Sequence, residues 1–592
     1  MIIYLVPIIF LLSITIKSNA NELEVIELHN KKTLDELVVE KINEDSNTLT
    51  QKDENLDNEN NLEEVIKVSN EIESSSEVII EESVDDHSSF LKNIEILSLE
   101  NYLNNSQNIK SKVLYDEYIN FLINTNFDLS IEKHADAFYL IVKRLYDTGE
   151  ISNAYNLIKG KNLANHSENS FFKMLEFNFL LSTHQLNQVC DLKNENLESI
   201  KIKNNLLIKI DIFCLLLEEK YLEADLQFSL LNEFTENVDV NFNNLYFSLI
   251  DNFDNENELK NLKDLDDDLA FLYSSMMKIG EIPINENFYK IDENNLAISL
   301  ILNNKANIET RLKAANISFL SNKISIDSLS ALYQSVDFNS NQLSNPEQTV
   351  VELGEKKEMI MAFYYQLSNV QIFPSQRLDV LLDFWVYADN NDLENIAYPL
   401  SQNIINSIEP SSDNSFNSLE LAKANIHNGD YNTAERWIQF YEDTIGTDEN
   451  SIYVRFLNDL KQAEDLTPII QFINSNLYDS NNLSETENKE IFYILINIFE
   501  NNEVNDFDKE ILNVFDDRKM PTIFFNLRLK QAIQNKNNYE FLFLALSSIN
   551  NKNWKELHPM HLQLLLNGFK SYEDSKILNN LIIEILENYK FL

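Results

Sequence analysis

A polar-to-apolar turn signature returns about every 35 residues along this chain, and it restricts the fold more than any other feature. It reads Glu150-Ile151-x-x-Ala154, Gln185-Leu186-x-x-Val189 and Lys220-Tyr221-x-x-Ala224. Downstream it returns as Asp430-Tyr431-x-x-Ala434, Asp465-Leu466-x-x-Ile469, Glu503-Val504-x-x-Phe507 and Asn538-Tyr539-x-x-Leu542. A period of that length corresponds to one helical hairpin per unit, and such hairpins bury their apolar faces by stacking on their neighbours. With 592 residues the chain exceeds the roughly 250–300 residues at which a single core stops growing. Only 7 Gly and 9 Pro occur, which argues against a turn-rich all-β fold. The expected fold is therefore all-α, an α/α superhelix of hairpin repeats.

The local pattern supports this. Tyr139, Val142, Leu145 and Tyr146 share one helix face. Gly149 then closes the helix, because the residue past a C-cap favours positive φ. A second helix carries Ala154, Leu157 and Ile158 inward. Around Gly429 the same grammar recurs, with Leu421 and Ala422 before the turn and Tyr431, Ala434, Ile438 and Tyr441 after it. The stretch Asn428-Gly429-Asp430-Tyr431-Asn432-Thr433-Ala434 resembles the tetratricopeptide-repeat superfamily, whose consensus has a Gly-Asp/Asn-Tyr turn followed by an alanine. The aligned turn positions are Ile151, Leu186, Tyr221, Ile326, Leu393, Tyr431, Leu466, Val504, Tyr539 and Tyr572, spaced 35, 35, 105, 67, 38, 35, 38, 35 and 33. The spacing of 105 equals three repeat lengths and leaves room for degenerate units. The family's first-helix tryptophan and closing proline are absent, and several units replace the alanine by Val, Ile, Leu or Phe. A second resemblance, carried by Arg311-Leu312-Lys313-Ala314-Ala315, by Leu329-Ser330-Ala331-Leu332-Tyr333 and by the stretch from Phe338 to Pro346, is to uncharacterised exported helical proteins of alphaproteobacteria. It implies no activity.

The first twenty residues read as an export signal. An uncharged run from Ile2 to Ile16 precedes Lys17-Ser18-Asn19-Ala20, whose small residues predict cleavage after Ala20. The run is shorter than the roughly 20 residues that span a bilayer, so no stable span is expected after cleavage. Residues 21–90 hold 21 acidic and 5 basic residues, with Phe90 the only aromatic. Such a composition buries too little to offset its ordering entropy. It predicts a disordered acidic segment, interrupted by Leu37-Val38-Val39 and Val78-Ile79-Ile80, which reads either as a spacer or as a tether whose apolar patches dock on a partner or back on the array. The expected organisation is a signal peptide at 1–20, the acidic segment at 21–90, N-terminal helical repeats at 91–280, degenerate repeats at 281–345 and C-terminal repeats at 346–592.

The net charge of −49 repels nucleic acid and anionic lipid, so neither is an expected partner. Two cysteines, Cys190 and Cys214, cannot build a disulfide framework or a zinc site. They lie in consecutive hairpins and can pair, but their apolar neighbours Val189, Phe213 and Leu215 favour two buried free thiols. The scattered glycines form no phosphate loop, and neither G-x-S-x-G nor H-E-x-x-H occurs. His558-Pro559-Met560-His561 comes nearest to a metal pair, but Pro559 suits a first helical turn and makes His558 a capping residue. Asp337-x-Asn339-x-Asn341 begins like a calcium loop, then puts Gln342 where glycine is needed and Gln348 where the glutamate is needed. In Asp264-x-Asp266-Asp267-Asp268 the carboxylates of a helix point apart. No catalytic, cofactor-binding or metal-binding residue is assigned, and no cofactor is expected. Tyr221, Tyr431 and Tyr539 are expected to pack inside hairpins.

These readings point to a non-enzymatic scaffold or adaptor of the cell envelope, periplasmic or secreted, that binds a protein or peptide. A chaperone-like or structural envelope component is one alternative. A cell-wall-directed enzyme with an unrecognised site is the other.

Overall fold

The computed structural model describes residues 90, 94–106, 109–125, 127–193, 205–234, 238–251, 265, 267–462, 491, 494–495, 497–498, 517–572 and 575–589. The signal peptide, the acidic segment before Phe90 and the turn units at Leu466 and Val504 lie outside these residues. Among the described residues all regular structure is helical.

The helices run α1 (Ile96–Asn105), α2 (Lys112–Asn124), α3 (Glu132–Asp147), α4 (Ile151–Ile158), α5 (Asn169–Ser182), α6 (Leu186–Lys193), α7 (Leu206–Leu217), α8 (Tyr221–Phe234), α9 (Val240–Asp251) and α10 (Asp267–Ile279). Shorter pieces follow as α11 (Glu286–Tyr289) and α12 (Ala297–Leu302), then α13 (Ile308–Leu320), α14 (Ile326–Gln334), α15 (Ser340–Ser344) and α16 (Pro346–Leu353). The C-terminal half comprises α17 (Lys357–Val370), α18 (Pro374–Asp389), α19 (Glu394–Ile405), α20 (Ser418–His427), α21 (Tyr431–Thr444), α22 (Glu449–Gln462), α23 (Ile523–Gln534), α24 (Asn538–Ile549), α25 (Pro559–Lys570) and α26 (Ser575–Asn588).

The periodic signature is a backbone device. At Gly149, His184, Glu219, Asn322, Asp392, Gly429 and Lys536 the chain takes a left-handed φ between 52° and 83°. The next N–H then donates to the carbonyl five residues back: Glu150 to Leu145, Gln185 to Leu180, Lys220 to Leu215, Lys323 to Ser318, Leu393 to Ala388, Asp430 to Asn425 and Asn537 to Ala532, all at 2.8–3.0 Å. This bond satisfies a carbonyl that the helix end leaves orphaned and reverses the chain. At six of these turns, all but that at Asn322, the residue after the left-handed one directly precedes the next helix, and at two of them its side chain caps that helix. Asp430 accepts from the Thr433 N–H at 3.1 Å, and Asn537 from the Glu540 N–H at 3.2 Å. The small or apolar fourth residue then faces the partner helix: Ala154, Val189, Ala224, Ala434 and Leu542 are all buried. The resulting hairpins are α3–α4, α5–α6, α7–α8, α20–α21 and α23–α24.

One expected turn differs. Tyr572 opens no described helix; it follows α25, and its hydroxyl donates to the Asn538 carbonyl at 2.6 Å. Among the described residues the 105-residue interval after Tyr221 holds α9, α10, the short α11 and α12, and α13.

The first and last described helices lie together. Phe543 on α24 lies among Tyr102, Tyr118 and Phe121 from α1 and α2, at centroid distances of 5.2–6.0 Å. On α26, Glu584 accepts from the Val113 N–H at the start of α2 at 2.8 Å and from the Trp554 indole at 2.7 Å. Burial raises the Glu584 carboxyl above the usual range, while these hydrogen bonds oppose the rise. Lys461 on α22 also pairs with Glu587 on α26 at 2.7 Å.

Candidate protein-interaction faces

The hairpin α7–α8 is held from behind. Its first helix, LLIKIDIFCLLL, is apolar almost all round because α6, α8, α9 and α10 surround it. Cys214 on α7 is joined to Cys190 on α6, with a Cα–Cα distance of 5.6 Å. The expectation of two free thiols is therefore corrected. The consecutive hairpins bring the two Cβ atoms within bonding reach, and an apolar setting does not oppose an uncharged bond. Lys209, the one cation of α7, is buried. Its ammonium lies 2.6 Å from Asp239 and 3.2 Å from the Tyr273 hydroxyl, over the Phe242 and Tyr273 rings. Tyr273 also donates to Asp239. Burial disfavours the Asp239 charge, but the bonds from Lys209, Tyr273 and the Phe242 N–H outweigh it and hold the carboxyl below its usual range.

On α8, Ala224, Phe228 and Leu231 face inward, and Phe228 stacks on Tyr246 at 3.9 Å. The opposite face carries Leu222, Leu226, Leu230 and Phe234, which are 41–87 % exposed. A spacing of four residues keeps them on one side, forming a stripe that drifts slowly around the helix. Residues 218–234 contain Glu218, Glu219, Glu223, Asp225 and Glu233 against the single Lys220, which is itself tied to Glu218 at 2.6 Å. The face is thus apolar with an acidic rim. Tyr221, expected to pack inside the hairpin, is instead 48 % exposed in the first turn of α8, whereas Tyr431 and Tyr539 are half-buried. The helix begins at Tyr221, and its inward positions start three residues later at Ala224.

A second face has the opposite charge. On α23 only Leu529 and Ala532 are buried, while Ile523, Phe524 and Leu527 are 57–81 % exposed, with Met520 beside them. Residues 517–536 contain Arg518, Lys519, Arg528, Lys530 and Lys536 against the single Asp517. Arg518 donates to the Lys555 carbonyl at 3.2 Å, and Arg528 bridges to Glu540 on α24. Lys519, Lys530 and Lys536 extend into solvent.

The residues that came nearest to metal ligands by their spacing do not come together. His558 caps α25, its Nδ1 accepting from the Met560 N–H at 3.2 Å. His561 is buried and contacts the Ser548 hydroxyl at 3.0 Å; burial pushes its imidazole down to about 4. Asn339 caps α15 in a reciprocal box with Gln342. Asp264 and Asp266 lie outside the described residues. Among the described residues no group of three or more His, Cys, Asp or Glu side chains is arranged to hold a metal, and no helix is long and apolar enough to cross a membrane.

Chain-distant titratable groups converge at one junction. Glu150 accepts from the Tyr115 hydroxyl at 2.6 Å and from the Asn153 amide at 2.9 Å. Burial lowers the nearby Lys323 ammonium, with Glu150 and Asp292 opposing the shift. Lys323 follows its own left-handed turn residue, so the junction fastens the α3–α4 turn to the α13–α14 turn. A Cβ at Gly149 would come within 2.6 Å of Asn294 there. Comparison with known proteins gives no match: no family model fits the chain, and no curated protein or solved structure is similar to it.

Proposed function

We propose that this chain is an exported adaptor, an α/α superhelix of tetratricopeptide-like hairpins that acts by non-covalent protein binding in the periplasm or outside the cell. The observation that carries this reading is the α8 face. Leu222, Leu226, Leu230 and Phe234 stay exposed on a helix whose other side is anchored by the buried Ala224, Phe228 and Leu231. A contiguous apolar stripe with a polar rim marks a binding surface, because its exposure costs solubility unless a partner uses it. The acidic rim selects the partner's chemistry: a segment with an apolar stripe and flanking cations, laid along the helix. The Cys190–Cys214 bond supports export, since such bonds persist in oxidising compartments. With a signal peptide cleaved after Ala20, the mature chain would meet its partner in the envelope.

Cross-linked affinity capture from an envelope fraction tests this, comparing the mature chain with a Leu222→Asp/Leu226→Asp variant. The expected result is one dominant stoichiometric partner held by the mature chain and lost by the variant. Broad capture of unfolded proteins would instead favour a chaperone-like component. Equal capture by both proteins would remove α8 from recognition.

A further inference from the structure

Phe90, the last residue of the acidic leader, packs on the hairpin that carries the basic face of α23. Its ring lies against Phe121, Tyr539 and Phe543 at centroid distances of 5.9–6.0 Å. Tyr539 and Phe543 belong to α24, the hairpin partner of α23. The leader therefore joins the folded body on the hairpin that carries the exposed Ile523, Phe524 and Leu527. Its nearest stretch is complementary to that face. Glu77-Val78-Ile79-Ile80-Glu81-Glu82-Ser83-Val84-Asp85-Asp86 holds four aliphatic residues and five carboxylates, and residues 71–89 contain no Lys or Arg. The face itself carries three exposed aliphatic and aromatic side chains, with Lys519, Lys530 and Lys536 exposed in the same segment.

The reach is sufficient. Twelve extended residues span up to about 40 Å, and a twelve-residue helix is about 18 Å long. Tethering through Phe90 also makes the contact intramolecular, with the high effective concentration that a short linker gives. In a chain of net charge −49, residues 517–536 are locally basic, with five Lys and Arg against one carboxylate, and three of the five, Lys519, Lys530 and Lys536, are exposed lysines.

We propose that residues 77–86 dock on the outer face of α23, with Val78, Ile79, Ile80 and Val84 supplying apolar contact to Ile523, Phe524 and Leu527. The carboxylates pair with Lys519, Lys530 and Lys536. The leader thereby covers the apolar face of α23 and leaves the α8 face open. This contact is independent of the adaptor reading.

Carbodiimide cross-linking of the full mature chain, read by mass spectrometry, tests it. Zero-length links are expected from Glu77, Glu81, Glu82, Asp85 or Asp86 to Lys519, Lys530 or Lys536. An Ile79→Asp/Ile80→Asp variant should lose those links and show faster hydrogen exchange across 523–534. These substitutions lie outside every described helix, and an unchanged far-ultraviolet circular dichroism spectrum shows that the fold is intact. Links to the same lysines from residues 463–516, or links joining isotope-light to isotope-heavy chains, would assign the face to another occupant and overturn the proposal. Unchanged exchange across 523–534 in the variant would also overturn it.

Discussion

The hairpins α7–α8 and α23–α24 are built on the same turn and present opposite surfaces. Glu219 and Lys536 both adopt the left-handed conformation, and the N–H that follows each closes the same five-residue-back bond. In each hairpin one helix packs into the body and the other leaves an apolar stripe in solvent. Around α8 that stripe is ringed by carboxylates, around α23 by cations. Their anchoring differs too. A covalent bond and the buried Lys209–Asp239–Tyr273 cluster fix α7, whereas aromatic contacts with α1 and α2 and the His561–Ser548 bond fix α24. The turn is a backbone device that specifies a hairpin and leaves its outer surface free, so charge diverges where geometry does not.

The largest expected effect is on the α7 side. Lys209→Ala leaves Asp239 facing the interior without its cation, costing about 3–5 kcal/mol, toward the lower end because Asp239 keeps some solvent. Denaturant titration should show the loss, and hydrogen exchange should confine it to α7–α10. Equal loosening of α23–α24 would break the contrast in anchoring. Replacing both cysteines by serine opens a loop closed across a separation of 24 residues, an expected loss of about 3 kcal/mol. Exchange should rise in α6 and α7 while α24 keeps its protection.

Acid should act on the other side. The His561 imidazole is held down to about 4, below its unfolded 6.5, so the unfolded chain takes up the proton first. Stability from this group is complete above about 6.5 and is lost as the pH falls toward 4, by about 2–3 kcal/mol. Exchange in α24 and α25 should therefore accelerate between pH 6.5 and 4.5, and His561→Gln should flatten that dependence. Asp239, whose carboxyl is held low, keeps its charge over the same interval, so α7 should change little. The smallest effect sharpens the shared element. Glu219→Gly and Lys536→Gly each relieve a left-handed side-chain residue and should stabilise by about 0.5–1 kcal/mol. Matching gains in thermal melts are expected, and a gain at one site alone would show that the turns are not equivalent.

The hairpins were legible because two signals coincide: an apolar residue at the start of the second helix and a small or apolar one inside its first turn. Glycine was a poorer guide. His184, Glu219, Asn322, Asp392 and Lys536 hold the conformation that Gly149 and Gly429 adopt, because the backbone bond and the packed helices over-determine it. Contacts between distant parts of the chain left no local trace. Nothing near Glu584 announces that it meets Val113, 471 residues earlier. The α8 face was hidden for a different reason. Its inward Ala224, Phe228 and Leu231 and outward Leu222, Leu226 and Leu230 make a helix apolar on two sides, and periodicity alone cannot say which side the body covers. The cysteines show the same limit: spacing allowed a bond, and only the packing of α6 on α7 brings the two together.

The central claim is that the α8 face recognises a cationic amphipathic segment by its apolar stripe and not by charge alone. Fluorescence titration with a synthetic Lys/Leu amphipathic helix tests it, comparing the mature chain with Leu222→Asp/Leu226→Asp. The substitutions add two negative charges, so binding driven only by the net charge of −49 would strengthen. The account predicts affinity at least about tenfold weaker in the variant, the equivalent of 1.4 kcal/mol. Equal or tighter binding by the variant would contradict it.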